Sequence, residues 1–194
     1  MADAGRVISG LAAGLRLAAP GEGTRPFGDR VKQALFGNLE ADPDEPLGGP
    51  FLDLFAGSGA AGIEALSRGA PLAVFVERDA GAARVVTENL RRTALDGGRV
   101  VRADVIRFLD GDPAEAGGPF SGVVVDPPYV EQDLLVAALE RLADPDRVWL
   151  RPRAVVVAKH SWRWQPEELL GYLVRGRERR FSDTALTWYR RLDT

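Results

Sequence analysis

Phe51-Leu52-Asp53-Leu54-Phe55-Ala56-Gly57-Ser58-Gly59-Ala60-Ala61-Gly62 joins an apolar run to a helix-forming one through three glycines. Residues 51–55 predict a short buried strand interrupted by Asp53, and 59–68 predict a helix. Glycine at such a turn lets backbone approach a ligand closely and leaves the amides at the helix start open to it. Gly57, Gly59 and Gly62 have the spacing of a dinucleotide-binding turn, and Glu77 follows where an acid accepts hydrogen bonds from a ribose diol. NAD and S-adenosylmethionine both satisfy that pattern. Asp53 separates them, because a carboxylate at the end of the strand repels a pyrophosphate and pairs with the ammonium of a methionine moiety.

Outward from this stretch the alternation continues. Strands are predicted at 72–76, 99–103, 121–125, 154–158, 171–177 and 184–190, with helices at 80–93 and 134–142 and a helical turn at 105–109. Seven strands alternating with helices imply a Rossmann-like α/β fold: a mostly parallel sheet with helices on both faces. The last two strands have no helix between them and are expected to form an antiparallel edge. Upstream, 6–17 suits a small hairpin, 29–39 a helix with Val31, Leu35 and Leu39 on one face, and 42–50, with three prolines, a linker. The organisation expected is thus an N-terminal extension, 1–40, and a cofactor-binding catalytic domain, 41–194.

The second stretch with chemistry in it is Val123-Val124-Val125-Asp126-Pro127-Pro128-Tyr129. Two prolines after a buried strand force a rigid turn and remove two N–H donors, so the loop presents acceptors: the Asp126 carboxylate and the Pro127 carbonyl. Acceptors suit a planar NH₂ group, whose lone pair they would localise toward an electrophilic methyl. Tyr129 offers a stacking face for a base extruded from its helix. Asp104, just past the third strand, suits an adenine amino group or a helix N-cap.

With 194 residues, 45% hydrophobic and 27% charged, the chain has the composition of one globular domain, and cysteine is absent, which excludes disulfides, thiolate nucleophiles and cysteine-ligated zinc. No apolar run approaches a transmembrane length and no leader is evident, so a cytoplasmic protein is expected. The net charge of −3 divides unevenly: +2 over 1–32, −10 over 33–150 and +5 over 151–194. Basic ends suit a polyanionic partner, although such an asymmetry taken alone is more often plain solvated surface. His160 reads as a packed or surface histidine, and Trp149, Trp162, Trp164 and Trp188 as packing residues. Arg175, Arg177, Arg179 and Arg180 form a second basic cluster.

In order, the glycine loop, Phe75-Val76-Glu77-Arg78-Asp79 and Asp126-Pro127-Pro128-Tyr129 resemble the class I S-adenosylmethionine-dependent amino methyltransferases. Gly23-Thr24-Arg25-Pro26, Asp29–Phe36, Glu64-Ala65-Leu66-Ser67-Arg68-Gly69-Ala70 and Asp183-Thr184-Ala185-Leu186 more narrowly resemble the RsmD family, whose members methylate the exocyclic N2 of a guanine in 16S ribosomal RNA. The resemblance implies cofactor contacts at Asp53, Phe55, Ala56, Gly57, Gly59, Glu77, Arg78, Asp104, Val105 and Asp126. It implies methyl transfer at Asp126, Pro127, Pro128 and Tyr129, without a metal. Leu11, Ala12 and Ala13 stand where that family usually carries lysine, so RNA contacts are expected to rest on Arg6, Arg16, Arg25, Arg30 and Lys32. Phe27, Gly37 and Ser182 also depart from the family's pattern. The partner implied is 16S ribosomal RNA, within a small subunit or assembly intermediate, met by a monomer. Rival readings are an adenine-N6 or cytosine-N4 methyltransferase and a non-catalytic RNA-binding assembly factor.

Overall fold

The computed structural model describes residues 3–21, 27–128 and 130–193. Strands β1 (Asp3–Arg6) and β2 (Arg16–Ala18) form an antiparallel ribbon, followed by helix α1 (Asp29–Glu40). Then come β3 (Phe51–Leu54), α2 (Ala60–Ser67), β4 (Ala73–Glu77), α3 (Ala80–Thr93), β5 (Gly98–Arg102), α4 (Val105–Leu109), α5 (Pro113–Ala116), β6 (Phe120–Val125) and α6 (Gln132–Ala143). Four strands close the chain: β7 (Leu150–Ser161), β8 (Leu169–Leu170), β9 (Leu173–Phe181) and β10 (Thr184–Arg191).

The main sheet runs β5-β4-β3-β6-β7-β10-β9-β8. Its first five strands are parallel, and β10, β9 and β8 pair antiparallel at one edge. The eighth strand, two residues long, is the addition to the seven expected. Apart from Asp53 and Ser121, the fully buried β3 and β6 are apolar on both faces because helices cover both. On one face α1, α2 and α3 bury Leu35, Phe36, Ile63 and Val86 against Phe51, Phe75 and Val124. On the other, α4 and α6 bury Val105, Leu135 and Leu139 against Leu54, Val123 and Val125. The chain leaves β3 to one side for β4 and returns to the other as β6. The carboxyl ends of β3 and β6 therefore flank the topological switch point, where open α/β sheets bind ligands.

The N-terminal hairpin is present, with Arg6 opposite Arg16 and the Val7 amide bonded to the Leu15 carbonyl at 2.9 Å. Its long loop is stapled to α2: Ile8 and Ser9 donate their amides to the Glu64 carboxylate at 2.8 and 3.0 Å, and Leu11 donates to the Ser67 carbonyl at 2.8 Å. Gly10, at φ +84°, lies so close that a Cβ would sit 1.8 Å from the Ser67 carbonyl oxygen. The segment shares its core with the sheet, since Ala4, Val7, Leu17 and Phe27 pack in the same cluster as Phe51 and Phe75.

Asn89 ties the two together. Buried on α3, it accepts from the Ala18 amide and donates to the carbonyls of Ala18 and Ser58, each at 2.9 Å. Asn89→Ala leaves three groups without their partner, at about 1–3 kcal/mol for each one stranded away from water. Even at the lower figure, about 3 kcal/mol in all, the variant is expected to melt roughly 6–12 °C lower, given about 2–4 °C per kcal/mol in a chain of this size. A shift under about 2 °C by circular dichroism would show that the amide clamps nothing.

Candidate active site

At the switch point opens a cavity of about 800 Å³. Asp53, Phe55, Ala56 and Gly57 from the first turn line it, with Glu77 and Arg78 from the end of β4, Asp104 and Val105 from the end of β5, and Asp126, Pro127 and Pro128 from the end of β6. Ala4, Ala19, Pro20, Gly21 and Phe27 of the N-terminal segment complete the wall. Thus both stretches singled out in the sequence face one space. Gly59 is the exception: it does not line the cavity, and a Cβ there would meet Val86 Cγ1 at 2.9 Å, so its part is to let α2 start against α3 and β4. Tyr129 and Arg25 lie outside the described residues.

The turn is strained where it faces the cavity. Gly57 and Gly59 have φ of +55° and +77°, and Phe55, which has a side chain, sits at +63°. Left-handed backbone at a bulky residue costs of order 1–3 kcal/mol and persists only where neighbours hold it. Here Glu77 holds it: one carboxylate oxygen accepts the Gly57 amide at 2.9 Å, the other the Asp79 amide at 2.8 Å. Asp79 and Asp104 cap α3 and α4 by accepting the Ala82 and Arg107 amides at 2.8 and 3.0 Å. Arg78 is drawn aside into an ion pair with Glu131 at 2.7 Å.

Asp53 is 3% exposed, and its carboxylate accepts the Gly62 amide at 2.8 Å. Burial pushes it up to about 8 from an ordinary 3.8; the Gly62 amide opposes this, and the Asp126 and Glu77 charges add to it. An acid in that condition is short of a cation.

Asp126 has one. Lys159 Nζ donates to both of its oxygens, at 2.6 and 2.7 Å, with the two side chains 12% and 19% exposed, and the same ammonium lies 5.1 Å from the centre of the Phe27 ring. The corner therefore contains a donor, which the sequence reading missed. The signal was available in principle: β7 runs parallel to β6 with Ala158 opposite Val125, so the cation ending the apolar run falls beside Asp126.

Other expected residues divide. Arg6 and Arg16 pair with Asp29 and Asp3, and Arg30 is exposed on α1. Lys32 is a correction: at 0% exposure it is an interior residue donating to the Arg6 carbonyl, and burial pushes its ammonium down, so it offers a polyanion nothing. His160 is 1% exposed, shares contacts with the Ser161 carbonyl and Thr187 hydroxyl, and does not line the cavity. Among the described residues no group of three or more His, Cys, Asp or Glu is arranged to hold a metal, and no helix is long and apolar enough to cross a membrane.

Comparison with known proteins agrees over nearly the full chain. YlbH of Bacillus subtilis (strain 168) is 39% identical over 96% of this chain and 98% of its own. Ribosomal RNA small subunit methyltransferase D of Escherichia coli (strain K12) is 36% identical over 78% of this chain and 72% of its own. The solved structure of yhhF from Escherichia coli superposes with a TM-score of 0.84 at 31% identity, covering 97% of this chain and 98% of that one. The family described as "Conserved hypothetical protein 95" matches residues 5–190, and with these relatives it establishes that the chain belongs to the RsmD family of methyltransferases.

Proposed function

We propose that the chain transfers a methyl group from S-adenosylmethionine to the exocyclic N2 of a guanine in 16S ribosomal RNA. One observation carries this reading: a single cavity is lined both by acids suited to the cofactor, Asp53 and Glu77, and by the Asp126-Pro127 acceptors suited to an amine. The relatives named as small-subunit ribosomal RNA methyltransferases support the substrate class. The donor set fits the cofactor. Asp53 would hold its ammonium, Glu77 the ribose diol and Asp104 the adenine amine, in a space of ordinary ligand size. When bound, the cofactor supplies an electrophilic methyl on a positively charged sulfur.

The chain's own residues do the rest. Asp126 and the Pro127 carbonyl accept the two N–H groups of the base, turning its lone pair out of the ring. Lys159, which also lines the cavity, holds the Asp126 carboxylate in place through both of its oxygens. The nitrogen that receives the methyl would become cationic, and Asp126 would pass its proton along the hydrogen bond toward water. Lys159→Met should lower kcat by about 10–100-fold, below the roughly 10²–10⁴ of a group that handles the proton itself because Lys159 acts only through Asp126, with Lys159→Arg restoring most of it. An unchanged single-turnover rate in the methionine variant removes Lys159 from this role.

The defining assay is transfer of labelled methyl to naked RNA and to small ribosomal subunits lacking the modification, followed by mass spectrometry of the digested RNA. N2-methylguanosine is expected. Label on adenine N6 or cytosine N4 overturns the base assignment, and no label on RNA overturns the reading.

A further inference from the structure

A second surface lies on the same end of the sheet as the cavity, and resting on the function just proposed we infer that it is a docking rim for the RNA flanking the target base. Its residues are Trp162 and Arg163, immediately after β7, and Arg179, Arg180 and Phe181, at the end of β9.

Strand register fixes where this rim is. Lys159 pairs with Leu186, and Leu186 with Arg179, so the three stand in one row on one face of the sheet. Two strand spacings, about 10 Å, separate Arg179 from the ammonium-bearing residue of the reaction cavity. Phe181, Thr184 and Ser161 form the next row outward on that face, while Arg180, with Ala185 and His160, stands in the row between on the other face, so that with Trp162 the rim wraps the end of the sheet. Beyond Leu173 and Val174, β9 has no further strand on its outer side, and Arg177 to Arg180 are exposed.

The chemistry of the rim is that of unpaired bases and phosphate. The Arg180 guanidinium lies 3.6 Å from the centre of the Trp162 ring, and that of Arg163 4.8 Å from it; Arg179 lies 5.1 Å from the Phe181 ring. Stacking on a ring orients the planar guanidinium, and although Arg180 Nε donates to the Ser182 carbonyl at 3.0 Å, its terminal nitrogens, on an exposed residue, meet no carboxylate among the described residues, the arrangement that receives a base face or a phosphate. None of Arg163, Arg177, Arg179 and Arg180 pairs with a carboxylate among the described residues.

The opposite end of the same strands is built differently. There Arg153 pairs with Asp44 and Asp193, and Arg190 with Asp42 and Asp44. Arg153 and Arg190 are thus neutralised by carboxylates at the end remote from the cavity, whereas, among the described residues, Arg163, Arg179 and Arg180 are not at the end beside it. This sharpens the +5 balance of residues 151–194 into a location. A target base held at Asp126 has its neighbouring nucleotides within reach of that location, so one strand can engage both.

The test is a triple substitution, R163A/R179A/R180A, against a matched one, R91A/R92A/R99A, which removes the same charge on α3 and the far edge strand. Binding of a labelled 16S RNA fragment is titrated from about 50 to 200 mM salt, with methyl transfer and cofactor binding measured in parallel. Expected for the rim variant are an affinity at least tenfold weaker, a salt slope shallower by about two to three, and unchanged cofactor affinity. Adding W162A should deepen the loss at high salt, where stacking outlasts charge. A rim variant that binds RNA like wild type, or no worse than the matched variant, overturns the inference; so does a rim serving an acidic protein, which leaves RNA affinity intact. Wild type that binds RNA without methylating it sinks the proposed function and leaves the rim standing, whereas efficient methylation by the rim variant at wild-type KM does the reverse.

Discussion

Asp126→Ala should lower single-turnover methyl transfer by about 10²–10⁴, the usual range for a positioned group that assists proton removal. Two effects combine. The amine loses the acceptor that turns its lone pair out of conjugation. In addition, Lys159, which now donates to both Asp126 oxygens, is left as an ammonium facing the hydrogens of an incoming amine. Removing one member of a mostly buried pair costs more than removing both, because the orphaned charge has no counterion. K159M/D126A is therefore expected to turn over no more slowly than D126A, and to melt higher. Asp126→Asn keeps one acceptor oxygen and should lose less than the alanine variant. Cofactor affinity should change only a few-fold in any of them, since Asp53 and Glu77 are intact. A loss under about fivefold in D126A with normal folding would remove Asp126 from the chemistry.

Local signals were legible and relational ones were not. The strand–glycine–helix unit around Gly57 and the Asp126-Pro127-Pro128 corner are written in adjacent residues, and the structure turns both toward one cavity. Asp104 was read with both of its candidate roles, and it caps α4 while lining that cavity. Lys159 was missed because it reaches Asp126 only through the parallel pairing of β6 with β7, separated by the whole of α6. Lys32 was misplaced because a lysine in an amphipathic helix reads as solvent-facing, whereas Glu64, Asp29 and the Arg6 carbonyl make an interior place for it. Asn89 gave no signal, since its three partners come from β2 and the glycine turn. The left-handed Phe55 was invisible for the same reason: apolar residues ending a strand predict extended backbone, and what overrides this is Glu77 gripping the Gly57 amide.

Asp53→Asn should make the protein less sensitive to alkali and at the same time impair its cofactor binding. Folding raises the Asp53 carboxyl from 3.8 to about 8, chiefly through burial, so the folded state binds that proton more tightly than the unfolded chain. The resulting stabilisation is complete below about pH 4 and is lost progressively as pH rises through about 8. Wild type should therefore show a melting temperature that declines from about pH 5 to pH 9, by an amount corresponding to several kcal/mol at most. Asparagine carries no such proton and can still accept the Gly62 amide, so the variant's curve should be flatter and lie above wild type at pH 9. The cofactor reverses the balance, because its ammonium supplies the cation that the cavity withholds from Asp53. Between about pH 6 and 7, where an α-amino group is charged, binding should release a proton from Asp53, visible as a dependence of calorimetric enthalpy on buffer ionisation. The asparagine variant should release none and bind about 10–100-fold more weakly, the worth of one charge-assisted contact. A variant that keeps wild-type affinity, or one whose melting temperature falls with pH as steeply as the parent's, would mean that the carboxylate does not receive the ammonium.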